Sequence, residues 1–144
     1  MTQKFSSSIR AKILRDLSHE NFRVTTLGDT VDIKVNVRES EGDAYVVDLT
    51  GEIDVYTSPK VKDAITELID QEHYNLVINL EKVRYIDSTG LGVLIGGLKR
   101  VREHGGSVNL VCTNPQIKKI FDITGLVKIF GIFDDEQSAM KALV

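Results

Sequence analysis

This chain of 144 residues has little cysteine, no excess of positive charge and no long apolar run. Cys112 is the only cysteine, so no disulfide can form within the chain, and its apolar surroundings favour burial over reactivity. The formal net charge of -3 argues against a nucleic-acid binder, which needs a basic field. No apolar run is long enough to cross a bilayer, and the polar N-terminus lacks the apolar core of a signal peptide. We therefore expect a cytoplasmic, globular protein with no nucleic-acid or membrane partner.

Nucleotide-binding and hydrolase motifs are missing as well. No Walker A sequence occurs in the chain. Gly90, Gly92 and Gly96 are similar to a dinucleotide-binding fingerprint, but Ile95 occupies the place of the third glycine. Ser88 does not lie in a G-x-S-x-G elbow. The sequence therefore predicts no cofactor of its own.

The titratable residues give little support to catalysis. His19, His73 and His104 lie in polar contexts, where surface histidines are expected and no general base is evident. No two histidine or cysteine residues have the spacing of metal ligands. Asp54 and Asp87 could converge as a carboxylate pair, but turn and capping aspartates are far commoner. We predict no catalytic residue and no metal site.

Apolar periodicity predicts an α/β domain over residues 31–144. Alternating apolar residues indicate a strand from Val31 to Val37, and a loop then leads to a returning strand at Tyr45–Leu49. The apolar run Leu76–Leu80 is the predicted central strand, and 107–112 follows it after a helix, as in a parallel crossover. Residues 127–133 could add an edge strand. The predicted sheet is therefore mixed, with four to five strands and an antiparallel N-terminal hairpin.

About four helices are predicted from capping signals. Ser58, Ser88 and Asn114 are the expected N-caps of three helices, and the chain's two prolines follow two of them at the first helical position. Asp134 and Gln137 have the spacing of a capping box for a final helix. Residues 1–30 are treated as an N-terminal extension of unknown role, with a narrow apolar stripe after Ser8.

The most informative stretch surrounds Ser88, where a predicted buried strand ends and a predicted helix begins. A helix N-terminus carries unpaired N–H groups and a partial positive charge, so it accommodates an anion well. A hydroxyl at this place could accept a phosphoryl group without unfolding the domain. The simpler interpretation is that Ser88 only caps the helix, with Asp87 and Thr89 able to share that task.

Glycines around this helix start weaken the simpler interpretation. Gly90, Gly92, Gly96 and Gly97 fall at the start of or inside one predicted helix. Each interior glycine costs about 1 kcal/mol relative to alanine. Several together indicate that the sheet or another protein approaches this backbone closely.

Three stretches resemble the signature motifs of bacterial anti-sigma factor antagonists, which are STAS domains. They are Gly51–Tyr56, Tyr85–Gly92 and Phe121–Leu126, within a match from about Val31 to Leu143. The sequence D-S-T-G-L-G from Asp87 is closer to the general-stress branch of the family than to the sporulation branch, which usually has D-S-S-G-L-G. Residues 1–30 are longer than the usual start of these proteins.

The resemblance implies a STAS fold and a partner-switching protein without catalysis of its own. In this family the unmodified antagonist binds an anti-sigma factor that is also a serine kinase, and this releases the sigma factor. The kinase uses its own ATP to phosphorylate the serine after the aspartate, which is Ser88 here, and the complex dissociates. A PP2C-type phosphatase restores the active form. Thr89 is the alternative acceptor, and a homodimer is possible.

The residues expected at the partner interface surround Ser88. They are Asp54, Asp87, Thr89, Gly90, Leu91 and Gly92. Two alternatives are kept open. One is a STAS scaffold or regulatory subunit in a signalling assembly that does not act on a sigma factor. The other is a nucleotide- or lipid-binding module that uses the glycine-rich helix start.

Overall fold

A five-stranded sheet forms the centre of the computed structural model, which describes residues 33–143. Its strands are β1 Ile33–Glu39, β2 Tyr45–Ile53, β3 Asn75–Ile86, β4 Ser107–Val111 and β5 Gly131–Phe133. They lie side by side in chain order; β1 pairs antiparallel with β2, and the other three pairs are parallel. The predicted mixed sheet with an N-terminal hairpin is therefore confirmed. The extension predicted for residues 1–30 lies outside the described residues.

Helices cover the two faces of the sheet unequally. They are α1 Ser58–Asp70, α2 Ser88–Arg102, α3 Pro115–Ile123 and α4 Glu136–Lys141, and two 3-10 turns lie at Glu41–Asp43 and Leu126–Lys128. The apolar sides of α1, α2 and α3 join one large core with the sheet. Helix α4 packs on the other face through Ala139. Four helices were predicted, and four are found in the described part of the chain.

Strand β3 is the central element and is longer than predicted. Leu76, Ile78 and Leu80 are fully buried, as expected of a parallel strand with neighbours on both sides. The strand continues six residues past Leu80 and ends at Ile86. Only Val83 and Ile86 are buried among its last six residues, so a search for a continuous apolar run ends the strand too early. The extra length carries the start of α2 out to the edge of the sheet.

Strand β2 is also longer than predicted, because Gly51 lets it continue through a region where its pairing with β3 is irregular. Gly51 has φ of 123°, a conformation that favours glycine. The pairing with β3 shifts on both sides of this region and then resumes at Glu52 with Tyr85 and at Ile53 with Ile86. The two strands consequently end beside each other.

Three predicted boundaries near loops are wrong by small amounts. Helix α1 begins at Ser58 itself, because the carboxylate of Asp54 already bonds the N–H groups before it. The last helix is capped by Asp135, whose carboxylate accepts from Ser138 N, since β5 continues to Phe133. The predicted strand over 127–133 is reduced to its last three residues by a 3-10 turn. The Asn114 cap of α3 is confirmed.

The N-cap of α2 is Asp87 and not Ser88. Asp87 has an extended backbone, and its Oδ1 accepts from Gly90 N at 3.0 Å. A carboxylate is a stronger acceptor than a hydroxyl and carries the charge that a helix N-terminus prefers. Ser88 is therefore the first residue of the helix, and its hydroxyl is not needed as the cap.

The four glycines of α2 fall into two classes. A Cβ on Gly90 would lie 2.7 Å from Ile53 Cγ2 and 2.8 Å from Ile86 Cγ1, so this glycine is required by the sheet. A Cβ on Gly97 would lie 3.0 Å from Ile65 Cγ2 of α1. At Gly92 and Gly96 a Cβ would meet no atom within 4 Å. The contacts inside the described domain therefore explain only Gly90 and Gly97.

The two residues at the start of α2 should differ in their effect on stability. We expect Asp87→Ala to lower the free energy of unfolding by about 0.5–2 kcal/mol, since it removes the cap. Ser88→Ala should change it by less than about 0.5 kcal/mol, as is usual for an exposed position. Urea unfolding followed by circular dichroism measures both. Equal losses would contradict the assignment of the cap.

Alanine should have opposite effects at the two classes of glycine. Gly90→Ala should destabilise the domain by about 1–3 kcal/mol, because the added methyl overpacks against Ile53 and Ile86. Gly96→Ala should stabilise it by up to about 1 kcal/mol, because the methyl enters open space and alanine favours the helix. Thermal and urea unfolding of the two variants form a matched comparison. A stabilised Gly90→Ala variant would refute the packing described above.

Candidate functional site

The candidate site lies where β2 and β3 end. Ile53 and Ile86 are paired as the last residues of the two strands. One residue further on, Asp87 N donates to Ile53 O at 3.0 Å. The turn that follows β2 and the start of α2 are thus held side by side at one edge of the sheet.

Asp54 organises the turn after β2. Its Oδ1 accepts from Tyr56 N at 2.9 Å and from Thr57 N at 3.0 Å. The buried hydroxyl of Thr57 donates to Glu52 O at 2.7 Å and accepts from Asp54 N at 2.9 Å. This closed set of bonds fixes a tight turn. The predicted partner residue Asp54 is half-buried and builds the turn with one carboxylate oxygen.

Ser88 and Thr89 are both exposed on the first turn of α2. Within the described residues, the Ser88 hydroxyl makes no hydrogen bond. The position is accessible from solvent, and it lies among the N–H groups at the helix N-terminus, where an anion is favoured. Asp87, half-buried beside it, is occupied by its bond to Gly90 N. The hydroxyl is therefore available for modification without loss of the cap.

The remaining predicted interface residues divide between surface and core. Gly92 is exposed on the second turn of α2. Gly90 and Leu91 are buried, Gly90 against Ile53 and Leu91 in the main core. These two residues set the position of the helix start from below, and they do not present a side chain to a partner.

Exposed apolar side chains near the site were missed by the sequence reasoning. Val55 is 57% exposed and Tyr56 70%, both on the turn that Asp54 holds, and Tyr85 at the end of β3 is 49% exposed. Elsewhere in the domain, Ile123 at the end of α3 is also exposed. All four lie inside the three motif stretches recognised above. For Val55 and Tyr56 the available signal was their place in a turn immediately after a strand, where they cannot belong to the strand's core face. Tyr85 in β3 and Ile123 in α3 gave no such signal.

The two histidines that the structure describes lie away from this edge. Among them, no group of three or more His, Cys, Asp and Glu could hold a metal ion. The ring of His73 packs on Tyr45 and that of His104 stacks on Tyr74, at the opposite edge of the sheet where the parallel strands begin. Cys112 is fully buried as predicted, and burial raises the pKa of its thiol. None of the helices between Ile33 and Leu143 is long and apolar enough to cross a membrane.

Known proteins share this fold and these motifs. The sequence profile of the STAS domain matches residues 34–139. The anti-sigma-B factor antagonist of Bacillus subtilis strain 168 is 41% identical over 102 residues, which cover 71% of this chain and 92% of that protein. The protein of the same name from Listeria monocytogenes is 37% identical over 102 residues, with 71% and 90% covered.

A solved structure agrees with these sequence relatives. The crystal structure of an anti-sigma factor antagonist from Mycobacterium paratuberculosis superimposes with a TM-score of 0.71 at 28% identity, covering 77% of this chain and 93% of that one. The profile match extends over most of the chain, and the resemblance predicted from the three motifs is confirmed. The chain belongs to the STAS domain family.

Proposed function

We propose that this chain is an anti-sigma factor antagonist that works by partner switching. In its unmodified form it binds an anti-sigma factor that is also a serine kinase, and the sigma factor is released. Phosphorylation of Ser88 ends this binding, and a PP2C-type phosphatase reverses it. The observation that carries the proposal is the exposed Ser88 hydroxyl at the first residue of α2, beside a cap supplied by Asp87.

The geometry supports a fold that survives phosphorylation. A phosphoryl group adds between about 1.5 and 2 negative charges. At the first residue of a helix, this charge meets free N–H groups and the positive end of the helix dipole. The cap from Asp87 Oδ1 to Gly90 N does not involve the modified oxygen. The domain therefore keeps its stability, and the effect of the new charge falls on the complex.

The surroundings of Ser88 explain why a complex would be sensitive to that charge. Val55, Tyr56 and Tyr85 offer apolar area beside it, of the aromatic kind that dominates protein interfaces. Burying a doubly charged group among them, next to the carboxylates of Asp54 and Asp87, carries a desolvation cost and a repulsion. A loss of about 3 kcal/mol weakens binding more than a hundredfold.

The relatives support the same function, since those matched here are named antagonists of anti-sigma factors. The proposal assigns no catalysis and no cofactor to this chain, because the ATP belongs to the kinase. It also implies a cytoplasmic protein, since its partners act on transcription. The scaffold alternative remains a separate outcome of the experiment below.

The primary test compares Ser88→Ala with Ser88→Glu. Each variant is titrated calorimetrically with the purified anti-sigma factor from the same genome, with and without ATP. Ser88→Ala should bind like the unmodified chain and should not be released by ATP. Ser88→Glu should melt at the wild-type temperature but bind over a hundredfold more weakly. Thr89→Ala serves as the control and should still be released. If wild type and Ser88→Glu bind equally, the switch at Ser88 is refuted. If neither binds, the antagonist role itself is refuted and the scaffold alternative is favoured.

The position of the modification is tested separately. After incubation with the kinase and ATP, phosphopeptide mass spectrometry should place the phosphoryl group on Ser88, the residue directly after Asp87. Both hydroxyls are exposed, so access alone does not select between them. Modification of Thr89 in the wild-type chain would transfer the switch to that residue.

A further inference from the structure

A groove runs between α1 and α2 and begins next to the proposed phosphorylation site. Its volume is about 290 Å³. The lining residues come from both helices and include Lys62 and Ile65 of α1 and Thr89, Gly92, Gly96 and Arg100 of α2. Thr89 lines one end of the groove, so that end lies directly beside Ser88. It is continuous with the surface that the proposed function assigns to the partner.

The floor of the groove is apolar, and two glycines leave the backbone of α2 uncovered there. Ile65 and Val93 supply apolar side chains, and Gly92 and Gly96 lie one turn apart with no atom within 4 Å of where a Cβ would be. Glycine lowers helix stability relative to alanine at both positions. No described residue needs that open space. Small residues at such spacing let a second helix approach the backbone closely.

The borders of the groove carry positive charge. Lys62 is exposed and has no ion-pair partner among residues 33–143. At the far end Arg100 Nη1 donates to Thr66 Oγ1 at 3.3 Å, and its Nη2 lies 3.7 Å from Asp70 Oδ1. These contacts hold the guanidinium against the wall while 45% of the side chain stays exposed. The groove thus combines an apolar floor with cationic borders, whereas the site edge beside it is acidic through Asp54 and Asp87.

We propose that this groove receives an amphipathic helix of the anti-sigma factor. The helix presents small apolar side chains to Gly92 and Gly96 and carboxylates to Lys62 and Arg100. This inference rests on the proposed function and adds a second contact to it. A small molecule fits less well, because the polar groups lie on the borders and no buried polar side chain would orient it.

The position of the groove also connects it to the switch. A phosphoryl group on Ser88 is adjacent to Thr89, at the end of the groove. Its negative charge then repels the carboxylates that Lys62 would otherwise attract. One modification therefore weakens both the contact at the strand ends and the contact along α2.

The test titrates the purified anti-sigma factor with the full chain carrying single substitutions. Gly96→Leu fills the groove and should weaken binding at least about tenfold, while Gly96→Ala should have a much smaller effect. Lys62→Glu should also weaken binding about tenfold and reduce its dependence on salt. Lys119→Glu, the same charge change at an exposed position of α3 outside the groove, should bind like wild type. Thermal melts establish that each variant is folded.

The outcomes separate this inference from the antagonist function itself. If Ser88→Glu loses binding but Gly96→Leu and Lys62→Glu bind like wild type, the groove proposal is overturned and the antagonist function stands. If the unmodified chain does not bind, both fail. Light scattering without the partner tests a second copy as the occupant. A wild-type dimer that Gly96→Leu converts to a monomer would overturn the proposal of a partner helix.

Discussion

One backbone hydrogen bond joins the two halves of the candidate site. Asp87 N donates to Ile53 O at 3.0 Å, which joins the residue after β3 to the last residue of β2. Because of this bond, the turn held by Asp54 and the first turn of α2 begin at the same edge. The carboxylate of Asp87 then caps the helix. Ser88 is left on the surface with its hydroxyl uncommitted, which is the property that a modification site requires.

Much of the fold could be predicted because its signals are local. Alternation identifies the β1–β2 hairpin, an apolar run identifies β3, and Asn114 before a proline identifies the start of α3. Strand ends were less predictable. The second half of β3 contains exposed Glu81, Lys82 and Arg84, so it is not part of an apolar run. Its pairing with β2 nevertheless continues. Pairing between distant segments decides such boundaries, and no local pattern contains it.

The site was predictable in its location but not in the roles of its residues. The sequence could place Ser88 between the end of a strand and the start of a helix. It could not select the N-cap, because Asp87, Ser88 and Thr89 are all possible caps. The bond to Ile53 fixes Asp87 in the extended conformation that a cap needs, so tertiary structure makes the choice. Glycine spacing likewise indicated a close approach without saying by what. Only the three-dimensional arrangement distinguishes the two cases: packing against the sheet requires glycine at position 90, whereas no described contact requires it at Gly96.

In the proposed switch, the rigid packing beneath Ser88 would let added charge act without a change of conformation. Gly90 fits between Ile53 and Ile86 with no room for even a methyl group, so the helix start cannot move to relieve a mismatch. The surface above it changes from acidic, at Asp54 and Asp87, to basic along the groove at Lys62. A partner matched to both signs meets them at the junction where Ser88 lies. Under the proposal, negative charge added there would be accommodated by the helix N-terminus in the free domain, whereas in a complex it would also face the partner's groups, and the rigid helix start could not move it away. The free energy of that mismatch would therefore appear as lost binding rather than as lost stability.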